Sequence, residues 1–315
     1  VNPRFLPRDF VETKEGLLFA VVGGIEGGRV PACLRYRRLG PASYSKLSTQ
    51  AAQTLLQSTF PEYLLYSKTR DVQLHAVPLE RIIHHYQPRR RVQELMASSR
   101  HDAIEGKLLR LLELFSEHGL TPDCIGVTGS LLIGAQRLDS DIDLVIYGRE
   151  PFFLAREIVA QLIQAGRLDR LDPALWRDAY ARRGCALSFE EYLWHERRKL
   201  NKAAIEGTKF DLSLHIDGPA AADAAYHKQG LKCIQARVVD DAFAFDYPAR
   251  YRIDHSSIAE VISFSATYAG QAWSGESVEV CGQLEVSKRM DRRIVVGADR
   301  EAAGQYIKVV GAPNR

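Results

Sequence analysis

The run Asp141-Ile142-Asp143-Leu144-Val145-Ile146-Tyr147 restricts this chain more than any other stretch. A short apolar, β-branched run reads as a buried strand. Alternate side chains on a strand share a face, so Asp141 and Asp143 stand side by side while Ile142 turns into the core. Two adjacent carboxylates repel each other unless something positive sits between them. A hard divalent cation such as Mg²⁺ or Mn²⁺ is the natural filler, and Mg²⁺ commonly shares its shell with substrate phosphates.

What precedes the pair sharpens this reading. Cys124 to Thr128 forms a second strand, which ends in Gly129-Ser130 at the start of a short helix. Gly129 allows a close backbone approach. Gly129 and Ser130 then offer amide N–H groups and a hydroxyl to a phosphate. Arg137 and Ser140, in the loop leading to the Asp pair, complete a nucleotide-binding set on this part of the chain. Arg137 reads equally as a surface residue. A phosphate cradle beside two metal-binding carboxylates is the equipment of phosphoryl or nucleotidyl transfer.

Gly-Ser, a ten-residue spacer and Asp-Ile-Asp in apolar flanks resemble the signature of the nucleotidyltransferase superfamily, which includes DNA polymerase beta, CCA-adding enzymes and kanamycin nucleotidyltransferase. The opening Arg8-Asp-Phe-Val-Glu-Thr-Lys-Glu-Gly-Leu-Leu-Phe-Ala-Val-Val-Gly23 and the strand Leu34-Arg-Tyr-Arg37 look like a family of uncharacterised prokaryotic nucleotidyltransferases, a likeness that would span most of the chain. The superfamily resemblance implies a third carboxylate on a neighbouring strand. Asp211, within Phe210-Asp211-Leu212, is the candidate; Asp217 and Asp139 read as turn residues. It further implies that Asp141, Asp143 and Asp211 are both catalytic residues and ligands of Mg²⁺ or Mn²⁺. A nucleoside triphosphate would be the donor, a hydroxyl the acceptor and pyrophosphate the leaving group, which is chemistry of the EC 2.7.7 type. The alternative is an acid-rich strand end or a member that has lost activity.

Weaker features surround this core. His195-Glu-Arg-Arg-Lys-Leu-Asn-Lys202 lies on an expected helix. Arg198, Lys199 and Lys202 either reach phosphates, which puts Lys199 and Lys202 in the nucleotide-binding set, or line a solvated face. Arg35, Arg37 and Arg38 around Tyr36 read as a nucleic-acid surface or as plain surface. The histidines lack metal-ligand spacing, and Gly23 to Gly28 lacks the Lys-Ser/Thr of a phosphate loop.

Length and charge set the organisation. The 315 residues, 46% hydrophobic and 26% charged, suit two or three globular domains. An α+β architecture is expected. A small N-terminal α+β module would occupy 1–95. A central polymerase-beta-like nucleotidyltransferase domain, a mixed sheet with helices, would occupy 96–230. A small C-terminal β-barrel-like domain would occupy 231–315. Lys and Arg exceed Asp and Glu by six in the first segment, fall three short in the second and balance in the third. A basic segment beside an acidic one fits an anionic partner near a metal centre, and equally an ordinary solvated surface.

Within these segments, Gly16–Val22 and Val30–Tyr36 read as a hairpin. Ser48 is expected to cap a helix to about Gln57, Val72–Val77 to form a strand, and Pro78 to open a helix reaching Tyr86. Arg89-Arg-Arg91 reads as a hinge, and 101–118, 151–166 and 172–205 as helices, the last broken near Gly184. Strands are expected at 210–215, 259–268, 277–286, 293–296 and 306–310. The five widely spaced cysteines, an odd count without a C-x-x-C, argue against disulfides. With no apolar leader and no apolar run approaching a membrane span, the expectation is a cytoplasmic protein without a membrane partner.

The function expected from these features is Mg²⁺-dependent nucleotidyl transfer to a nucleic acid, RNA foremost, bound through the N-terminal module and the C-terminal β-domain. The alternatives are the same chemistry on a small molecule or protein, and a silent nucleotide- or nucleic-acid-binding protein.

Overall fold

A computed structural model describes residues 4–41, 43–67, 72–216, 226–297 and 304–311; Asp217 lies outside them. The chain is a mixed α+β protein whose described residues form three sheets and divide into two compact units. Of the described residues, the first holds those within 4–67, 72–169 and 204–216, and the second those within 170–203, 226–297 and 304–311. No described helix is long and apolar enough to cross a membrane.

The first unit opens with β1 (Phe10–Thr13), β2 (Leu17–Val21), β3 (Arg29–Gly40) and β4 (Ser43–Lys46). β2 and β3 form the expected antiparallel hairpin. Ser48 caps α1 (Thr49–Thr59) by accepting the Ala51 N–H at 3.1 Å. β5 (Leu64–Ser67) and β6 (Val72–Pro78) follow. The helix expected after Pro78 is corrected. A single 3₁₀ turn leads into β7 (Ile82–Tyr86), which pairs antiparallel with β1. Pairing with an open edge outweighs the local preference that Pro78 suggests. One core cluster of this sheet gathers Val11, Phe19 and Leu34 with Leu56 of α1.

The expected hinge is instead α2 (Pro88–Ala97), with Pro88 at its first turn. α3 (Ala103–Glu117) carries a capping box between Asp102 and Glu105 and buries Ile104, Leu108, Leu111, Leu112 and Phe115 as one stripe. β8 (Ile125–Thr128), α4 (Gly129–Ile133), β9 (Ile142–Tyr147) and α5 (Arg149–Gln164) complete the run to the unit boundary. In the second unit, α6 (Pro173–Arg183) and α7 (Phe189–Lys199) are separated at Gly184. The expected helical end near residue 205 is corrected to β10 (Lys202–Ile205), joined to β11 (Thr208–His215) by the tight turn Glu206-Gly207.

The four-stranded sheet has the order β10-β11-β9-β8. It is mixed, because β11 runs parallel to β9 and β8 antiparallel to it. Its inward residues Val127, Leu144, Ile146, Phe210 and Leu212 are buried, as are Phe152, Ile158 and Leu162 of α5. Phe115 of α3 meets Phe210 edge-on at 6.4 Å. At Gly126, an added Cβ would lie 2.6 Å from the Pro88 Cβ, so only glycine lets α2 approach β8 this closely.

The second unit's sheet comprises β12 (Tyr226–Asp240), β13 (Ala249–Asp254), β14 (Glu260–Ser263), β15 (Ser277–Ser287), β16 (Arg292–Val296) and β17 (Tyr306–Val309). β12 and β13 extend the expected strand set, and 259–268 shortens to β14 followed by a 3₁₀ turn. Pairings run β12-β13-β14-β16-β15 and return from β15 to β12. Cys233 and Cys281 stand opposite each other on β12 and β15 and form a disulfide, which corrects the reading of the cysteines. They lie 48 positions apart in sequence, so spacing alone gives no hint of the pair.

Candidate active site

Strand register brings the acidic residues together. Asp211 on β11 is the partner of Asp143 on β9, and Asp143 is in turn the partner of Thr128, the last residue of β8. Asp141 lies one residue before β9. Thr128 leads directly into Gly129, which has φ +68° and starts α4. A Cβ at Gly129 would lie 2.4 Å from Asp143 Oδ2. The turn therefore cradles the Asp143 carboxylate in space that any side chain would occupy.

The electrostatics centre on Lys209. Its buried ammonium lies 3.1 Å from Asp141 Oδ2 and 3.0 Å from Asp211 Oδ2. Burial disfavours that charge, yet Asp211 and Asp141 outweigh it and raise the Lys209 pKa. Asp143 shifts upward, first because it is buried and then because Asp211 and Asp141 repel its charge; Lys209 and Arg8 oppose the shift. Lys209 is a site residue the motif reading missed. Its signal was present, since Lys209 and Asp211 are two apart on a strand and share a face.

The N-terminal sheet supplies further neighbours. Leu132 and Ile133 of α4 pack with Phe10, Leu18 and Tyr36 in one buried cluster. Thr128 Oγ1 donates to the Arg8 carbonyl at 2.7 Å. Arg8 itself holds the left-handed φ of +84°. Tyr36 has its phenol pushed up, first by burial and also by the charge of Asp143. Arg8 and Tyr36 therefore feel the acidic cluster directly, and only tertiary packing reveals it. Arg38, by contrast, is held by Glu12 at 2.8 Å and is no free member of an arginine surface.

The loop between α4 and β9 is braced from outside. Arg91 of α2 donates to the Leu131 carbonyl at 3.0 Å and to Glu105 at 2.7 Å. Gln136 donates to Asp102 at 2.7 Å and to Glu105 at 3.2 Å. Ser140 Oγ accepts the Arg137 N–H at 2.8 Å, closing a turn that leaves the Arg137 side chain exposed. Ser130 is partly exposed in the first turn of α4.

Lys199 and Lys202 are engaged by neighbours of their own. They belong to the second unit, where Lys199 is buried and donates to Glu196 at 2.5 Å and to the Thr267 carbonyl at 2.6 Å. Lys202 also bonds Glu196. Arg198 donates to Glu276. The reading of Lys199 and Lys202 as phosphate-contacting cations is corrected on these local grounds. Lys199 at the end of α7 and Lys202 at the start of β10 both turn to the buried carboxylate of Glu196, which engages them together.

A mixed sheet with an acidic cluster beside a glycine turn suits a nucleotidyltransferase domain, and the family comparison places this part of the chain in the nucleotidyltransferase superfamily. Residues 108–206 match the nucleotidyltransferase domain family. Over 335 aligned positions the chain is 34% identical to MJ1086 of Methanocaldococcus jannaschii, an uncharacterised protein, covering 96% of this chain and 98% of that one. No solved structure matches it.

Proposed function

We propose that the protein transfers a nucleoside monophosphate from a nucleoside triphosphate to a hydroxyl group of a nucleic acid, RNA foremost, and releases pyrophosphate. The observation that carries this reading is the register of β8, β9 and β11. It gathers Asp143, Asp211 and Asp141 at one sheet end beside the Gly129 turn.

The donor set suits a hard cation. All three candidate ligands are carboxylates, and the burial that chiefly raises Asp143, together with repulsion from Asp211 and Asp141, calls for positive charge. Among the described residues no three acidic, histidine or cysteine side chains stand in metal-holding array. Lys209 lies between Asp141 and Asp211 instead, as an internal counter-ion that must draw back to admit another. Asp141, Asp143 and Asp211 would then hold Mg²⁺ or Mn²⁺. Such an ion supplies charge neutralisation at the triphosphate and a lower pKa for the acceptor hydroxyl.

The chain's own groups do the rest. The amides and hydroxyl of Gly129 and Ser130, with exposed Arg137, would bind phosphate oxygens. Asp211 would accept the proton of the attacking hydroxyl. A bond forms from that oxygen to the α-phosphorus, the bond to the bridging oxygen breaks, and its electron pair leaves with pyrophosphate. The basic N-terminal segment, whose Arg8 acts electrostatically on Asp143, supports an anionic acceptor.

The test incubates the protein with Mg²⁺ or Mn²⁺ and each α-labelled nucleoside triphosphate, beside cellular RNA and a protein-plus-metabolite extract. Label in RNA, absent with Asp143→Asn or Asp211→Asn, is the expected outcome. Label confined to protein or small molecules would replace the acceptor. Nucleotide binding without pyrophosphate release would leave a silent binding protein. An Asp143→Asn variant that turns over like wild type would sink the site assignment.

A further inference from the structure

The strand circuit of the second unit shapes a surface of its own. Five strands pair in the cycle β12-β13-β14-β16-β15-β12, and β14 and β16 are the parallel pair. Oligonucleotide-binding Greek-key barrels of five strands use the face of their second and third strands, flanked by the first-to-second and fourth-to-fifth loops. A shared connectivity does not establish function, so the side chains must carry the argument.

They do so at the corresponding place. A cleft of about 300 Å³ lies over β13 and the start of β14, and its lining includes Phe243, Arg250, Arg252, Glu260 and Arg292. Alternation along β13 turns Tyr251 and Ile253 inward and leaves Arg250 and Arg252 exposed. The β12–β13 loop presents two aromatic rings, Phe243 at 46% and Tyr247 at 39% exposure. The β15–β16 turn presents Lys288 and Arg289, with Arg292 at the strand start, all three exposed.

The acidic groups of the cleft are engaged locally. Asp240 accepts the Ala242 N–H at 2.9 Å, Asp291 accepts the Ser287 hydroxyl at 3.1 Å, and Glu260 pairs with Arg250 at 2.9 Å. Among the described residues Arg252, Arg292, Lys288 and Arg289 make no ion pair. Exposed cations without carboxylate partners beside exposed aromatic rings match a strand of phosphates with unstacked bases.

We infer that this cleft binds single-stranded nucleic acid, with a base stacked on Phe243 and phosphates on Arg252 and Arg292. The inference rests on the nucleic-acid reading of the acceptor and identifies where the chain grips it.

The test is fluorescence anisotropy of labelled U12 RNA and T12 DNA with the full chain across a salt series. Wild type is expected to bind one or both, and to bind a duplex of equal length more weakly. Phe243→Ala should weaken binding about tenfold. Arg252→Gln with Arg292→Gln should flatten the salt dependence by about 1.4 in log–log slope, for two phosphate contacts at about 0.7 each. A merely structural effect would not change that slope, and circular dichroism with thermal melting checks folding.

Wild-type binding by the folded variants, equal affinity for duplex, or no binding of either oligonucleotide would overturn the inference. Asp143→Asn separates the two claims. It should bind oligonucleotide normally while transferring nothing. Transfer to a protein or small molecule without oligonucleotide binding would remove the cleft's role and leave the transferase standing.

Discussion

Gly129→Ala should disable the site while leaving the protein folded, and Gly134→Ala supplies the control. The two glycines bracket α4 and share one backbone conformation, with φ +68° and +69°. An alanine in either place bears the left-handed penalty, roughly 1–2 kcal/mol. That loss lowers Tm by a few degrees, at roughly 2–4 °C per kcal/mol for a unit of this size. The surroundings differ. A Cβ at Gly134 meets nothing within 4 Å, whereas at Gly129 it would lie 2.4 Å from Asp143 Oδ2. The carboxylate is the movable partner, so it must retreat by about 1 Å to regain ordinary contact. A displacement of that size at reacting groups costs on the order of 100-fold in rate. The assay pairs thermal unfolding with pyrophosphate release. Both variants should melt within a few degrees of each other, with Gly134→Ala near wild-type turnover and Gly129→Ala down about 100-fold. Equal turnover in the two variants would refute the cradle argument, because the Asp143 position would then not matter.

The second unit should lose stability as pH falls from 6.5 toward 4, because burial holds the His195 imidazole at about 4 against an ordinary 6.5. Its Nδ1 donates to the Glu191 carbonyl and its Nε2 accepts the Val309 N–H, so the folded state keeps the ring neutral while the unfolded chain takes up the proton. The contribution is full above about pH 6.5 and amounts to as much as about 3 kcal/mol; urea unfolding across that range should show it, and His195→Gln should remove that part of the slope. Glu196→Gln leaves Lys199 and Lys202 without their shared buried carboxylate and should cost about 3–5 kcal/mol, read by the same denaturation; a loss under 1 kcal/mol would contradict the buried triad. Reducing Cys233–Cys281 should destabilise that unit by about 2–4 kcal/mol, measured by melting with and without reductant and against Cys233→Ser.

Local chemistry determined a good deal. Alternation and apolarity in 142–147 and 210–215 specified two strands with acids on one face. The apolar stripe from Ile104 to Phe115 specified α3, whose capping box the structure added. The superfamily and its α+β fold were legible in about twenty residues around Gly129 and Asp143 because that spacing carries a turn, a cradle and a paired strand together. Other features depended on partners distant in sequence. Residues 82–86 became a strand because β1 offered an edge, and Cys233 met Cys281 because of the β12–β15 register. Lys199 and Lys202 had charge suited to phosphate, but Lys199 is buried between Glu196 and the Thr267 carbonyl, and Lys202, which the structure places on a strand, bonds the same glutamate. The same reason places Lys209, Arg8 and Tyr36 in the electrostatics of the acidic cluster. A sequence specifies which groups a chain carries and their local periodicity; which charges face one another is decided only when separate segments are packed into one low-dielectric place.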